Sequence, residues 1–103
     1  MNVKVHYLYR DAGNFKQFGT VVFSNQQGLP ENRIVRDIES CCEEGIYFDV
    51  SAVDLPPLYF EVYNPALDHD WHELESIELC SEAADDDKGR DIGDFINRLR
   101  EAQ

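Results

Sequence analysis

The stretch Asn2-Val3-Lys4-Val5-His6-Tyr7-Leu8-Tyr9 predicts the first element of the fold, because apolar and polar residues alternate along most of it. Arg10 to Asn14 then has the composition of a turn, in which Gly and Asn tolerate a positive φ. Phe15 to Ser24 reads as a partner strand, and Gly19 within it indicates a bulge or a close approach by another part of the chain. Together these segments predict an antiparallel hairpin.

An amphipathic helix is predicted after the hairpin. Pro30 suits its first residue, since the missing N–H costs nothing there, and Gly45 suits its C-terminal cap. The apolar residues that recur at helical spacing are Ile34, Ile38 and either Cys41 or Cys42. A second helix is predicted near the C-terminus, with Asp91 as its N-cap. Its apolar stripe consists of Ile92, Phe95, Ile96 and Leu99.

The middle of the chain predicts shorter strands. One optional strand lies around Tyr47 to Val50, and a further one is predicted at Leu58 to Tyr63. For Trp71 to Cys80 we favour a strand, because the other strands need a pairing partner; a bulge near Leu74 reconciles its two faces. The alternative for this segment is a helix capped by Asp70.

The predicted fold class is therefore α+β, in the order β-β-α-(β)-β-β-α. An antiparallel sheet of about four strands carries both helices mainly on one face. Residues 1–103 form one domain on length alone. Residues 81–90, with Asp85, Asp86 and Asp87 at their centre, are interpreted as an acidic solvated linker before the last helix.

The charge balance limits the partners that we expect. Nine Lys and Arg stand against 21 Asp and Glu, which gives a formal net charge of -12. Such a surface repels nucleic acid and anionic membranes and attracts basic partners. The N-terminus lacks the apolar run of a signal peptide, and the three cysteines have no CxxC spacing. These features predict a cytoplasmic protein with free thiols.

The stretch from Asp68 to Glu75 holds the only Trp and two of the three His. His69, Asp70 and His72 offer imidazole and carboxylate ligands of the kind that a divalent transition metal prefers. On a strand, Asp70 and His72 share a face, and His69 is the flexible third ligand. The alternative is a structural junction in which Trp71 packs into the core and the imidazoles bond to neighbouring groups.

Two further sites have weaker signals. The turn containing Arg10 and Asn14 offers a guanidinium and backbone amides to an anion or a partner, and the alternative is a plain hairpin loop. Trp71 is a candidate anchor for a protein partner. The Cys41-Cys42 pair is disfavoured as a reactive thiol because two glutamates follow it.

No nucleophile elbow, phosphate loop or dinucleotide-binding motif occurs, so no catalytic residue is predicted. The leading functional hypothesis is a non-enzymatic module that binds a protein partner, in particular a basic one. A metal-binding protein or metal-dependent enzyme that uses His69, Asp70 and His72 is the alternative. Homodimerisation through an exposed sheet edge is a third hypothesis.

Overall fold

The N-terminal hairpin forms as predicted. In the computed structural model, which describes residues 1–103, β1 spans Asn2–Arg10 and β2 spans Lys16–Phe23, and the two pair antiparallel. Asn14 lies in the left-handed region of the turn with a φ of 66°. This is the backbone conformation for which Asn is among the favoured residues.

Two more strands complete the sheet. β3 spans Tyr47–Phe48 and β4 spans His72–Cys80, and the strand order is β2-β1-β4-β3 with every pair antiparallel. The register between β1 and β4 shifts between Ser76 and Leu74, so Glu75 is the extra residue of a bulge. The predicted strand and its bulge are therefore confirmed. The bulge turns three β4 side chains towards the core, namely Leu74, Ile77 and Leu79.

Both helices pack on the same face of this sheet. Helix α1 spans Glu31–Glu39 and helix α2 spans Ile92–Glu101. Phe95 of α2 stacks on Phe23 of β2 with ring centroids 4.5 Å apart. The buried helix residues are those predicted from periodicity: Ile34, Ile38, Ile92, Phe95, Ile96 and Leu99. The α+β fold is confirmed.

Helix α1 is shorter than its apolar pattern predicted. Pro30 is the N-cap rather than the first helical residue, and the helix ends at Glu39. The Cys41 N–H then donates to the Ile38 carbonyl, three residues earlier in the chain. This spacing is typical of a tight turn and not of a continuing α-helix. Gly45 does have a positive φ of 74°, but it belongs to a later turn and does not cap the helix.

The predicted strand at Leu58–Tyr63 is wrong, because this segment contains neither strand nor helix. The Leu58 N–H donates to Nε2 of His72 at 3.0 Å. The Gln17 amide donates to the carbonyls of Leu58 and Tyr59 at 2.9 and 3.0 Å. Side chains of Gln17 and His72 therefore make the hydrogen bonds to this segment that a neighbouring strand would have made. The strand that pairs with the outer edge of β4 is β3 instead.

The close approach predicted at Gly19 brings the same segment onto β2. A Cβ atom at this position would lie 2.9 Å from Cδ2 of Leu58 and 3.3 Å from the ring of Tyr7. Glycine is therefore required by the packing of Leu58 against the sheet. No helix of the chain has the length and apolar character that crossing a bilayer needs.

Part of the acidic segment before α2 is packed rather than solvated. The side chains of Asp86 and Arg90 are only 3% and 11% exposed, and they form an ion pair at 3.0 Å. Arg90 also donates to the Val53 carbonyl at 2.7 Å, and its guanidinium lies 5.6 and 5.5 Å from the ring centroids of Phe23 and Phe95. This ion pair attaches the segment to the core.

The same segment covers one end of an otherwise exposed sheet edge. Asp85 exchanges two hydrogen bonds with the backbone of Val22, at 2.7 and 3.0 Å. Asp91 then begins α2 with a capping box shared with Asp94. The edge of β2 further along, towards Lys16, has no such cover. The homodimer hypothesis thus concerns this end of β2 and the part of β4 from Glu75 onward, with which β3 does not pair.

Candidate functional site

His72 is the most buried of the predicted site residues, with no exposed surface. Its Nε2 accepts the Leu58 N–H, so the ring proton resides on Nδ1, which lies 3.3 Å from the Asp70 carbonyl. Burial lowers the pKa of His72 below its ordinary value of 6.5. Both ring nitrogens are therefore engaged by the backbone, and neither is directed to a metal ion.

His69 and Asp70 do not join His72 as a ligand set. Nδ1 of His69 accepts the backbone N–H of Trp71 at 3.1 Å, and the Asp70 carboxylate accepts the hydroxyl of Tyr63. This hydrogen bond is the main reason that the pKa of Tyr63 rises to about 12. No group of three or more His, Cys, Asp or Glu side chains is placed to hold a metal ion.

The carbonyls of this segment are fixed by tyrosines. The hydroxyl of Tyr9 donates to the His69 carbonyl at 2.7 Å, and that of Tyr59 donates to the Asp70 carbonyl at 3.1 Å. Residues 68–70 are thereby held in a defined path although they have no regular secondary structure.

Arg10 and Asn14 bond to each other through the guanidinium and the amide oxygen. Arg10 also forms an ion pair with Glu73 at 2.8 Å. The guanidinium thus already has a carboxylate and an amide as partners. The structure does not place Arg10 or Asn14 beside the histidines as one site.

Trp71 differs from the interpretation in which it packs into the core, because 46% of it is exposed. It lines a groove together with Tyr47, and neither ring stacks on another aromatic ring or on an arginine of the chain. The exposed Trp71 ring is therefore available to a ligand, and the half-buried Tyr47 ring lies beside it in the groove wall.

The groove has an outer and an inner part. The outer cavity, of about 460 Å³, is lined by Glu43, Glu44, Tyr47, His69 and Trp71. The inner cavity, of about 300 Å³, shares Glu43, Tyr47 and Trp71 with the outer one, so the two are direct neighbours. Its remaining lining residues are mainly apolar and are Cys41, Cys42, Phe48, Asp49, Ala52, Val53, Leu99, Ala102 and Gln103.

Carboxylates without a cationic partner surround this groove. Glu43, Glu44 and Asp49 line it, and none of them forms an ion pair with Lys, Arg or His. No Lys or Arg side chain lines either cavity. The groove therefore combines one exposed and one half-buried aromatic ring with carboxylates that no cation of the chain pairs with.

A tight turn places the two glutamates. The N–H of Glu43 donates to the Tyr47 carbonyl at 2.8 Å, and the Tyr47 N–H donates back at 2.9 Å. Between them, Glu44 and Gly45 both have positive φ values, 56° and 74°. Glycine adopts this conformation freely, whereas a glutamate in it is strained. The strained residue, Glu44, is one of those that line the outer cavity.

The buried histidine gives a testable pH dependence. His72→Phe leaves the Leu58 N–H without an acceptor, so we expect the free energy of unfolding to fall by about 1–3 kcal/mol. In the wild type, stability should also decline as the pH falls below 6.5, because unfolded His72 takes up a proton that the folded state resists. Urea denaturation between about pH 8 and pH 5 measures both effects.

His72→Gln is the matched control, since it keeps an acceptor but cannot titrate. We expect it to lose the part of the pH dependence that His72 causes while keeping more stability than His72→Phe. If the free energy of unfolding declines equally below pH 6.5 in His72→Gln and in the wild type, His72 is not the cause of the pH dependence.

Sequence reasoning identified Trp71 but missed Tyr47, Glu43, Glu44 and Asp49 as parts of the same site. The two glutamates were used only to argue against a reactive thiol. A Glu-Gly pair before a short strand does indicate a turn, and this signal was present. Which face of that turn meets Trp71 depends on the pairing of β3 with β4, which local patterns do not define.

Comparison of the chain with protein-family models, with curated proteins and with solved structures gives no match.

Proposed function

We propose that this protein is a non-enzymatic interaction module that binds a basic segment of a partner protein in the groove beside Trp71. The observation that carries the proposal is the pairing of the exposed ring of Trp71 and the half-buried ring of Tyr47 with three carboxylates that form no ion pair within the chain. A lysine or arginine side chain satisfies both features at once.

Aromatic rings and carboxylates attract such a side chain by different means. A cation over the face of an indole gains about 0.5–2 kcal/mol, depending on how far it is desolvated. Each exposed carboxylate adds about 0.2–1 kcal/mol and is weakened by salt. The contributions are individually small, so the proposed complex is a transient one that several contacts hold together.

The charge of the whole chain supports the same partner. With a formal net charge of -12, the protein draws cationic segments towards itself over distances of about one Debye length. The same field opposes nucleic acid and anionic lipid, which present phosphates. A basic protein segment is therefore the partner class that both the local and the long-range electrostatics favour.

The test uses a short lysine-rich peptide that carries a neutral fluorescent label, with binding followed by anisotropy. We expect Glu43→Gln/Glu44→Gln to weaken binding by about threefold to tenfold, because two groove carboxylates are lost. We also expect affinity to fall as salt is added.

The control is Glu61→Gln/Asp87→Asn, which removes the same two negative charges outside the groove. Both residues are exposed and neither forms an ion pair. Equal weakening by the two double variants would show that only net charge matters, and the groove proposal would then fail. Absence of any peptide binding at low salt would contradict the function itself.

A further inference from the structure

We infer that the basic segment bound by the groove also carries a large apolar side chain, which occupies the inner cavity beside the cation. This inference rests on the function proposed above and adds the second half of the motif. It follows from the chemistry of the inner cavity, from its position next to the outer cavity, and from the carboxylates that line both.

Buried core residues form part of the wall of the inner cavity. Phe48, Val53 and Leu99 are buried residues of the core that also line it. Cys42 contributes a thiol whose pKa burial raises to about 12, so this wall stays neutral near pH 7. A volume of about 300 Å³ accommodates one large aliphatic or aromatic side chain.

The outer cavity provides the place for the neighbouring cation. Glu43, Tyr47 and Trp71 line both cavities, so two neighbouring side chains of one ligand can occupy them side by side. In an extended peptide, alternate side chains project to the same side. A leucine two residues from a lysine can therefore place its side chain in the inner cavity while the ammonium lies beside Trp71.

The charges favour this occupant over an apolar one without a cation. Asp49 lines the inner cavity and Glu44 the outer one, and neither has an ion-pair partner within the chain. Burying these carboxylates under a purely apolar partner would remove water from them without compensation. A partner that carries its own cation compensates for that loss.

The experiment compares two peptides that differ only in the apolar position, Leu-Ser-Lys and Ala-Ser-Lys, each within the same glycine-serine flanks. Isothermal titration calorimetry of the full chain measures both affinities. We expect the leucine peptide to bind about tenfold more tightly, because its side chain leaves water for the inner cavity. Equal affinities would overturn this inference and leave the proposed function standing, whereas no binding of either peptide would overturn both.

Ala52→Leu locates the effect, because Ala52 is a half-buried residue of the inner cavity and the substitution fills that space without changing the charge. We expect this variant to bind Leu-Ser-Lys no more tightly than Ala-Ser-Lys, and urea denaturation shows that it is folded. A leucine advantage that persists in Ala52→Leu would overturn the assignment to this cavity. A dimer in sedimentation that takes up no peptide would also overturn it, because a second copy of the chain would then be the occupant of the groove.

Discussion

Replacing Arg90 with alanine is expected to lower the free energy of unfolding by about 3–5 kcal/mol, because the substitution leaves Asp86 buried without its partner. The Asp86 side chain is only 3% exposed and receives three hydrogen bonds from Arg90, two from the guanidinium and one from the backbone. For a chain of this size such a loss is a large part of the total stability. Urea denaturation of wild type and variant at pH 7 measures it.

The pH dependence of that loss identifies its cause. Burial alone would raise the pKa of Asp86, but its hydrogen bonds with Arg90 and the positive charge outweigh burial and hold the pKa below its ordinary value of 3.8. The stabilisation by the ionised carboxylate is thus present above pH 3.8 and is lost as the pH falls further. The difference in free energy of unfolding between the wild type and Arg90→Ala should therefore become smaller as the pH falls below 3.8.

Two control variants separate the buried charge from lost packing. Arg90→Lys keeps a cation but not the planar group that bonds in several directions, so we expect it to recover only part of the stability. Arg90→Ala/Asp86→Asn removes the unpaired charge, so we expect it to be more stable than Arg90→Ala alone. If the double variant is the less stable one, an unpaired charge is not the reason for the loss.

The elements that were predicted correctly are those with strong local periodicity. The alternation in β1 and the apolar stripe of α2 each correspond to one buried face in the structure. The bulge in β4 was predictable because Leu74 and Ile77 reach the same face only if one residue is added between them. In these elements the residues that the local pattern marks as apolar are the ones that the core buries.

The prediction failed where tertiary contacts override the local pattern. Leu58 to Tyr63 alternates like a strand, yet side chains of Gln17 and His72 satisfy its backbone groups. His72 was a candidate metal ligand by residue type, with bonding to neighbouring groups as the alternative, and in the structure both ring nitrogens lie against backbone groups. Residue type indicates which bonds a side chain can make, and only the fold determines which it does make.

Replacing Trp71 with alanine is expected to weaken binding of a lysine peptide by about tenfold to thirtyfold. The substitution removes the ring that faces both cavities and with it the cation–π contact of about 0.5–2 kcal/mol, together with apolar surface that the peptide covers. Because Trp71 is 46% exposed and lies outside the core, we expect little change in stability. Calorimetric titration measures the affinity.

Trp71→Phe serves as the matched variant, since phenylalanine keeps a ring face of weaker potential. We expect its affinity to lie between those of the wild type and Trp71→Ala. The same loss of affinity in Trp71→Phe and Trp71→Ala would exclude the ring face as the binding element. A loss of several kcal/mol in the stability of Trp71→Ala would instead return Trp71 to the role of a core residue.

A basic segment that binds in the groove must lie against Trp71. Trp71 is the only Trp of the chain, so its indole N–H gives a single side-chain signal in a ¹⁵N–¹H spectrum. Titration with Leu-Ser-Lys at low salt should shift this signal together with the backbone signals of Glu43, Glu44 and Tyr47, and added salt should reverse the shifts. An indole signal that does not move at saturating peptide, or shifts confined to another surface, would contradict the account.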